Sequence, residues 1–174
     1  MEIIKETVRD FLTGRLLPYS DDEYIRQDLE RLLLEDKGFP AGTIKINHVF
    51  DFELDGESHQ ARLDLLIHVE DRPYMAVKCS RGSLVTRERE ALAASRLACE
   101  PPVPVTVVTN GEGAEVLDTR SGRVICRGLA AIPDAVKAKA ESGDMLYYTL
   151  PEEKLEKERR IILAYAAFQC PTEC

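Results

Sequence analysis

The stretch ARLDLLIHVEDRPYMAVKCS, residues 61–80, sets a carboxylate, Asp64, in one apolar strand and an ammonium, Lys78, near the end of the next, followed by Cys79 and Ser80. A carboxylate facing a partner one strand away is how many metal-dependent sites begin, but here the partner carries the opposite sign. Strand side chains alternate, so Ala76, Lys78 and Ser80 share one face while Val77 and Cys79 take the other. With Asp64 pointing the same way from the neighbouring strand, a pocket forms around Asp64, Lys78 and Ser80. An ammonium about 4 Å from a divalent cation opposes it by on the order of 8 kcal/mol at an effective dielectric near 20. Lys78 therefore reads as the partner of Asp64 in a cross-strand ion pair.

Other reactive groups lack the company that catalysis needs. Cys79 faces the core by strand alternation, and His48, His59 and His68 stand in no recognisable Cys-His arrangement. Ser80 has no evident base. His48, on the apolar side of its strand, reads as a core histidine satisfied by its neighbours. Gly111-Glu112-Gly113 lacks a following helix with a lysine and reads as a hairpin tip rather than a phosphate loop.

The elements that must position Asp64 and Lys78 are legible from periodicity. Ile4, Val8, Phe11 and Leu12 fall at helical spacing, which predicts a short docking helix over residues 2–13, ended by Gly14 and Pro18. Ser20 with Glu23 makes a capping box ahead of a second helix, whose stripe is Ile25, Leu29, Leu32 and Leu33 and whose end is Gly38 and Pro40. From Thr43 the period drops to two, with Ile44, Ile46, His48, Phe50, Phe52 and Leu54 on one side of a strand and Asp55-Gly56 as its hairpin turn. The return strand runs over about Ser58 to Val69, and Asp71-Arg72-Pro73 turns into a third strand ending at Cys79. Both faces of the last two strands are apolar, so the sheet is covered on both sides. Thr86 caps a helix to about Ala98, VPVTVVTN is a buried strand, and AEVLD with RVICR forms a smaller appended hairpin. Two helices close the chain, from about Pro133 to Glu141 and from about Pro151 to Phe168, the latter capped by Thr149. Favourable i,i+4 pairs join Glu153 to Lys157 and Glu156 to Arg160.

Bulk properties narrow the class. The 174 residues fit one well-buried core, and 44% hydrophobic with 31% charged residues is the globular range. No apolar run is long enough to span a bilayer, and MEIIKETVRDFL lacks the order of a signal peptide, so a cytoplasmic protein without membrane contact is expected. Five cysteines at 79, 99, 126, 170 and 174 show no paired spacing and read as reduced thiols, with Cys170 and Cys174 in a frayed tail rather than a zinc site. A net charge of −8 argues against coating nucleic acid through a basic face. Locally, Arg72, Lys78, Arg81, Arg87, Arg89 and Arg96 outnumber Glu88 and Glu90, which allows a positive patch on an acidic body.

DDEYIRQDLERLLLEDKGFP, the hairpin leading to ARLDLLIHVEDRPYMAV, the SLVT before a helix, and PVPVTVVTNG together resemble the N-terminal nuclease domain of type I restriction enzyme R subunits, members of the PD-(D/E)xK or restriction-endonuclease-like superfamily. The resemblance covers about residues 21–120 in order and spacing. It implies an α/β (α+β) fold with a mixed central sheet flanked by helices. Within one domain over 1–174, it divides the chain into an N-terminal helix to residue 20, a nuclease-like core over 21–128 and a C-terminal helical extension over 129–174. In that family a helix supplies a Glu, one strand an Asp, and the next strand a Glu-x-Lys within V-E-C-K; the acids bind magnesium and the Lys orients or activates water. Glu23 matches the helix Glu and Asp64 the Asp. Lys78 stands where the family has its second acid and Ser80 where it has its Lys, and the helix over 86–98 lacks the family's Gln. The resemblance thus implies that Lys78 takes the place of the metal as an internal counter-ion to Asp64.

Three readings follow. The first is a catalytically silent nuclease-fold module that binds DNA, with Arg81, Arg87 and Arg89 as contacts, or binds a restriction-modification or other protein partner, with no cofactor. The second is a magnesium-dependent endonuclease in which Asp64 holds the metal and a migrated acid, Glu70 or Glu53, completes the shell. The third is a structural domain whose C-terminal helices form a homodimer contact.

Overall fold

The computed structural model describes residues 6–169. The chain opens with a small antiparallel hairpin, β1 (Thr7–Arg9) and β2 (Leu16–Pro18), where helical spacing predicts a helix; Ile4 lies outside the described residues. The reason lies in Asp10. Its Oδ1 accepts from the Thr13 N–H at 2.7 Å and from Thr13 Oγ1 at 2.6 Å, closing a local turn that competes with helix, and Gly14 supplies the positive φ of 70° beyond it.

Helix α1 (Asp21–Arg31) starts at its expected N-cap, with Ser20 Oγ accepting from the Glu23 N–H at 3.1 Å, but the box is only half made because the Glu23 carboxylate turns to Arg26. Three acids in its first turn, Asp21, Asp22 and Glu23, face the positive end of the helix dipole. The helix runs on through a wider π turn over Leu32–Asp36, so that Leu29 and Leu33 are both buried.

Six strands form the main sheet in the order β3 (Ile44–Leu54), β4 (Glu57–Val69), β5 (Arg72–Cys79), β6 (Val105–Thr109), β7 (Ala114–Asp118) and β8 (Arg123–Arg127). All neighbours are antiparallel except β5 and β6, which run parallel and are joined through α2 (Val85–Leu97). The hairpin β7–β8 therefore extends the main sheet instead of standing apart as an appendage. Turns fall where the glycines and aspartates demand: Asp55 and Gly56 sit at φ 54° and 81°, and Glu70 and Asp71 at 49° and 63°, so the second turn lies one residue ahead of Asp71-Arg72-Pro73.

Two layers cover the sheet. Leu65, Ile67, Met75, Val77 and Cys79 pack with Leu29, Leu33 and Phe39 on one side. Leu63, Leu66 and Ala76 pack with Phe50, Phe52, Ala93, Ala94 and Ile162 on the other. The second layer is α2 together with α4 (Glu152–Gln169), while α3 (Ala135–Ser142), capped by Asp134, joins the first. Helix α2 begins one residue before Thr86, whose hydroxyl donates to the Ser83 carbonyl at 2.8 Å instead of capping. Helix α4 begins at Glu152, past Thr149, because the Pro151 carbonyl accepts the first helical hydrogen bond, from the Leu155 N–H at 3.1 Å.

Simple alternation fails at one place, and that place positions the site. Along β3, Ile44 and Ile46 face the α1 layer while Phe50, Phe52 and Leu54 face the α2 layer, although all are even-numbered. Along β4, Leu65 and Ile67 face the α1 layer and Leu63 the other. The change occurs at Asn47, held at φ 48°, and at Asp64 opposite it, between the pairs Ile46–Leu65 and His48–Leu63. The two strands stay in register across it, so both change face together.

Candidate functional site

The reversal carries Asp64 to the α1 face, away from Lys78. Asp64 is buried, and its Oδ2 accepts from the Cys79 backbone N–H at 2.7 Å, in the position of a strand-ladder bond. Its Oδ1 lies 3.4 Å from the Arg62 guanidinium, which is half exposed. Asp64 and Glu23 line one cavity of about 290 Å³ with Asp22, Arg26, Asn47 and Arg62. The expected pair of Asp64 with Lys78 does not form, because strand alternation, on which it rested, breaks between Leu63 and Leu65.

Glu23 is brought to this cavity but turned to Arg26. The Arg26 guanidinium, fully buried, contacts both Glu23 oxygens, reaches Asp10 Oδ2 at 2.7 Å and pairs with Glu30 through its other terminal nitrogen. One cation thus serves three carboxylates. Burial alone would raise Asp10, but hydrogen bonds from Thr13 and then from Arg26 outweigh it and hold the carboxyl below its ordinary range. Glu30 lies deepest, with Oε2 lacking a hydrogen-bond partner among the described residues. Burial, assisted by the charges of Asp10 and Glu23 and only partly offset by Arg26, pushes it up to about 7.

Lys78 lies on the opposite face of the sheet. Its Nζ sits 3.6 Å from Glu90 of α2 and donates to the Arg62 carbonyl at 3.3 Å, while Glu90 also takes Arg87 at 3.1 Å. Ser80 ends the strand: its N–H donates to the Thr109 carbonyl at 3.0 Å and its hydroxyl stays local, 3.4 Å from the Arg81 carbonyl. Cys79 faces the core as alternation requires, and burial followed by the Asp64 charge pushes its thiol well up, which makes it a poor nucleophile.

The six basic residues from Arg72 to Arg96 do not gather into one patch. Arg72 stands at the far end of β5, about 23 Å from Cys79 at strand rise, over the Tyr147 ring. Arg81 pairs with Asp21, Arg87 with Glu90, and Arg96 is buried against Glu158 at 2.6 Å. Arg89 is exposed.

Neither migrated acid reaches Asp64. Glu53 is six β3 positions beyond Asn47, and Glu70 is in the β4–β5 turn six positions beyond Asp64, each about 20 Å away. Periodicity also passed over Asp10, Arg26, Glu30, Arg62 and Glu90. Glu23, Arg26 and Glu30 had a visible signal, i,i+3 and i,i+4 on one helix face; the contact of Lys78 with Glu90 joins a strand to a helix and leaves no spacing to read. Among the described residues, no three His, Cys, Asp or Glu side chains are grouped so as to hold a metal ion.

Residues 21–133, well over half of the chain, match the family described as type I restriction enzyme R protein N terminus. The chain belongs to that family. No curated protein and no solved structure matches it significantly. The R-protein N-terminal match opens at α1 and closes before α3, so it contains Glu23, Asp64, Lys78 and Ser80. The β1–β2 hairpin with Asp10, and helices α3 and α4, lie outside it. Among the described residues no helix is long and apolar enough to cross a membrane.

Proposed function

We propose that this chain is a non-hydrolytic member of the R-protein N-terminal family and serves as a docking module for a protein partner in a restriction-type assembly. The observation that carries the reading is that both acids at the family's positions are already engaged, Glu23 by Arg26 and Asp64 by the Cys79 N–H and Arg62. Magnesium, which the family resemblance implies, takes a near-octahedral oxygen shell with one or two protein carboxylates. The residues here do not fit it: the second acid is Lys78, turned to Glu90, and drawing Glu23 towards a metal would leave Arg26 with fewer partners in a buried site. No hydrolytic step is therefore assigned to Glu23, Asp64, Lys78 or Ser80.

A protein partner fits the surface better than DNA does. Phosphate contact relies on cations free to displace counterions. The net charge is −8, and Arg81 and Arg87 are engaged by Asp21 and Glu90; among the described residues only Arg89 of the three expected DNA contacts forms no salt bridge. A second reading, metal-dependent DNA cleavage, is favoured by one feature: Asp22, Glu23 and Asp64 line a common cavity, so Asp22 rather than Glu53 or Glu70 would be the migrated acid.

The test is incubation of plasmid DNA with magnesium or manganese, beside a mobility shift at low salt and calorimetric titration of each metal. The expected results are no nicking, no salt-dependent shift and no metal binding by the chain, and no metal affinity gained in the double variant Lys78→Glu, Ser80→Lys, whose new carboxylate would face Glu90 rather than Asp64. Cleavage that needs metal and disappears in Asp64→Ala would overturn the reading.

A further inference from the structure

Phe11, Tyr147 and Tyr148 are each covered by an arginine of the chain itself: Arg31 at 4.9 Å, Arg72 at 5.8 Å and Arg120 at 5.4 Å from the ring centres. A guanidinium over an aromatic ring is drawn to the negative ring face. Tyr19 and Tyr24, 47% and 57% exposed, have no such cover among the described residues.

Both of these tyrosines line one cleft of about 600 Å³. It opens where the parallel strands β5 and β6 end, the place at which open α/β sheets receive ligands. Asp21, Tyr24 and Ile25 share one face of α1 at i, i+3 and i+4 spacing. The β6–β7 turn closes against that face, since a Cβ at Gly111 would stand 3.5 Å from Ile25 Cγ1. On the other side, Arg81 pairs with Asp21, and Asn110 Nδ2 donates to the Gly82 carbonyl at 3.0 Å. Tyr19 comes to the same carboxylate, its hydroxyl 3.5 Å from Asp21 Oδ1.

The cleft is acidic on balance. Arg81, its cation, is taken by Asp21, and the Arg81 N–H donates to Asp22 at 3.3 Å. Glu112, at the tip of the β6–β7 turn, is exposed and forms no salt bridge among the described residues. Uncovered tyrosine faces beside an unpaired carboxylate offer the two things a guanidinium takes, a π surface and a charge-assisted hydrogen bond. Phosphates would meet Asp21, Asp22 and Glu112, which disfavours a nucleic acid strand stacking its bases on the same rings. Tyrosines in a concave patch are also what carries binding energy at protein interfaces.

We propose that this cleft docks an extended, arginine-bearing segment of a protein partner, with a guanidinium of that segment against Tyr19 and Tyr24 and paired with Glu112. The partner supplies for these two rings what Arg31, Arg72 and Arg120 supply for the others. The proposal rests on the docking reading above and deepens it by naming the surface and the partner's chemistry. Tyr19 precedes the family match while the rest of the cleft lies inside it, so the paired rings combine a residue of the N-terminal segment with one of the shared fold.

The probes are nine-residue peptides with randomised flanks around a fixed central Arg or Gln, arrayed and incubated with the full chain. The tightest Arg-centred sequence is then titrated by fluorescence anisotropy, beside its Gln counterpart and a 20-nucleotide single strand. It is expected to bind saturably, with the Gln counterpart at least about tenfold weaker. Tyr19→Ala and Tyr24→Ala, both exposed changes, should each weaken binding by about tenfold, whereas Tyr24→Phe keeps the ring face and should bind as the parent does. Glu112→Gln should weaken it by about threefold or more and flatten its salt dependence. The proposal is overturned if no Arg-centred peptide binds, if the Gln counterpart binds equally well, or if Tyr24→Ala binds as the parent does. Single-strand binding that is lost in Tyr24→Ala, with no peptide binding, would overturn it too and assign the rings to base stacking. Metal-dependent cleavage reports on the non-hydrolytic reading alone; a chain that neither cuts DNA nor binds the peptides leaves that reading standing and refutes this one.

Discussion

Replacing Glu30 by Gln separates charge from packing in the Arg26 network. Glu30 is fully buried with one oxygen on Arg26, and its pKa rises from 4.5 to about 7. Because the folded chain holds this proton more tightly than the unfolded chain, the associated stability is whole below pH 4.5 and is lost as pH rises through 7. A shift of this size corresponds to about 3 kcal/mol, most of which falls between pH 5 and pH 8. For a chain of this length that is a fall of about 5–10 °C in melting temperature. Gln keeps the carbonyl that accepts from Arg26 and cannot ionise. The assay is urea unfolding of parent and Glu30→Gln at pH 5, 6, 7 and 8. Glu88 also titrates near 7 in both proteins, raised first by its hydrogen bond to Glu115, so the difference between the two curves isolates Glu30. That difference should move by about 2–3 kcal/mol in favour of the variant from pH 5 to pH 8. A difference constant with pH would mean that Glu30 titrates alike in both states, and the account of one cation shared by three buried acids would fail.

Other perturbations test neighbouring claims. Arg26→Met strips Asp10, Glu23 and Glu30 of their shared cation and should cost about 3–5 kcal/mol at pH 8 by denaturant midpoint, and less at pH 5 where Glu30 is protonated. Asp64→Ala leaves the buried Cys79 N–H without its acceptor and should lower stability by about 1–3 kcal/mol, read from the same titration. Glu158→Gln weakens the charged hydrogen bond with Arg96 that ties α4 to α2 and should cost about 2 kcal/mol, with faster hydrogen exchange in α4 than in the sheet. Iodoacetamide in native buffer should modify exposed Cys126 and leave Cys79 unmodified until the chain unfolds, as peptide mapping by mass spectrometry would register.

The parts of the fold that were legible rest on strictly local chemistry. Ser20 and Glu23 announce the start of α1, Asp55-Gly56 announces its hairpin turn, and the apolar runs of β4 and β5 announce a sheet covered on both sides. The first element was misread because Val8, Phe11 and Leu12 satisfy helical spacing, while Asp10 with Thr13 and its distant partner Arg26 decide for a hairpin. Tertiary contact overrode period there. Asp64 is the sharper case. Its type and strand were readable, but its direction depends on a reversal set by Asn47 at positive φ on the neighbouring strand, and no alternation rule applied to β4 alone could find it.

That reversal explains how the family's positions persist without assembling. Asp64 and Glu23 reach a common cavity on the α1 face, and Lys78 leaves by the other face of the sheet. A cation at position 78 on the Asp64 side would have sat among Asp22, Glu23 and Asp64 and neutralised them; on the α2 side it meets Glu90 instead. The neutralising work on the Asp64 side falls to Arg26 and Arg62. Asp10, on a hairpin outside the family match, also holds the Arg26 guanidinium. The cation that takes Glu23 is therefore shared with a segment that precedes the matched residues.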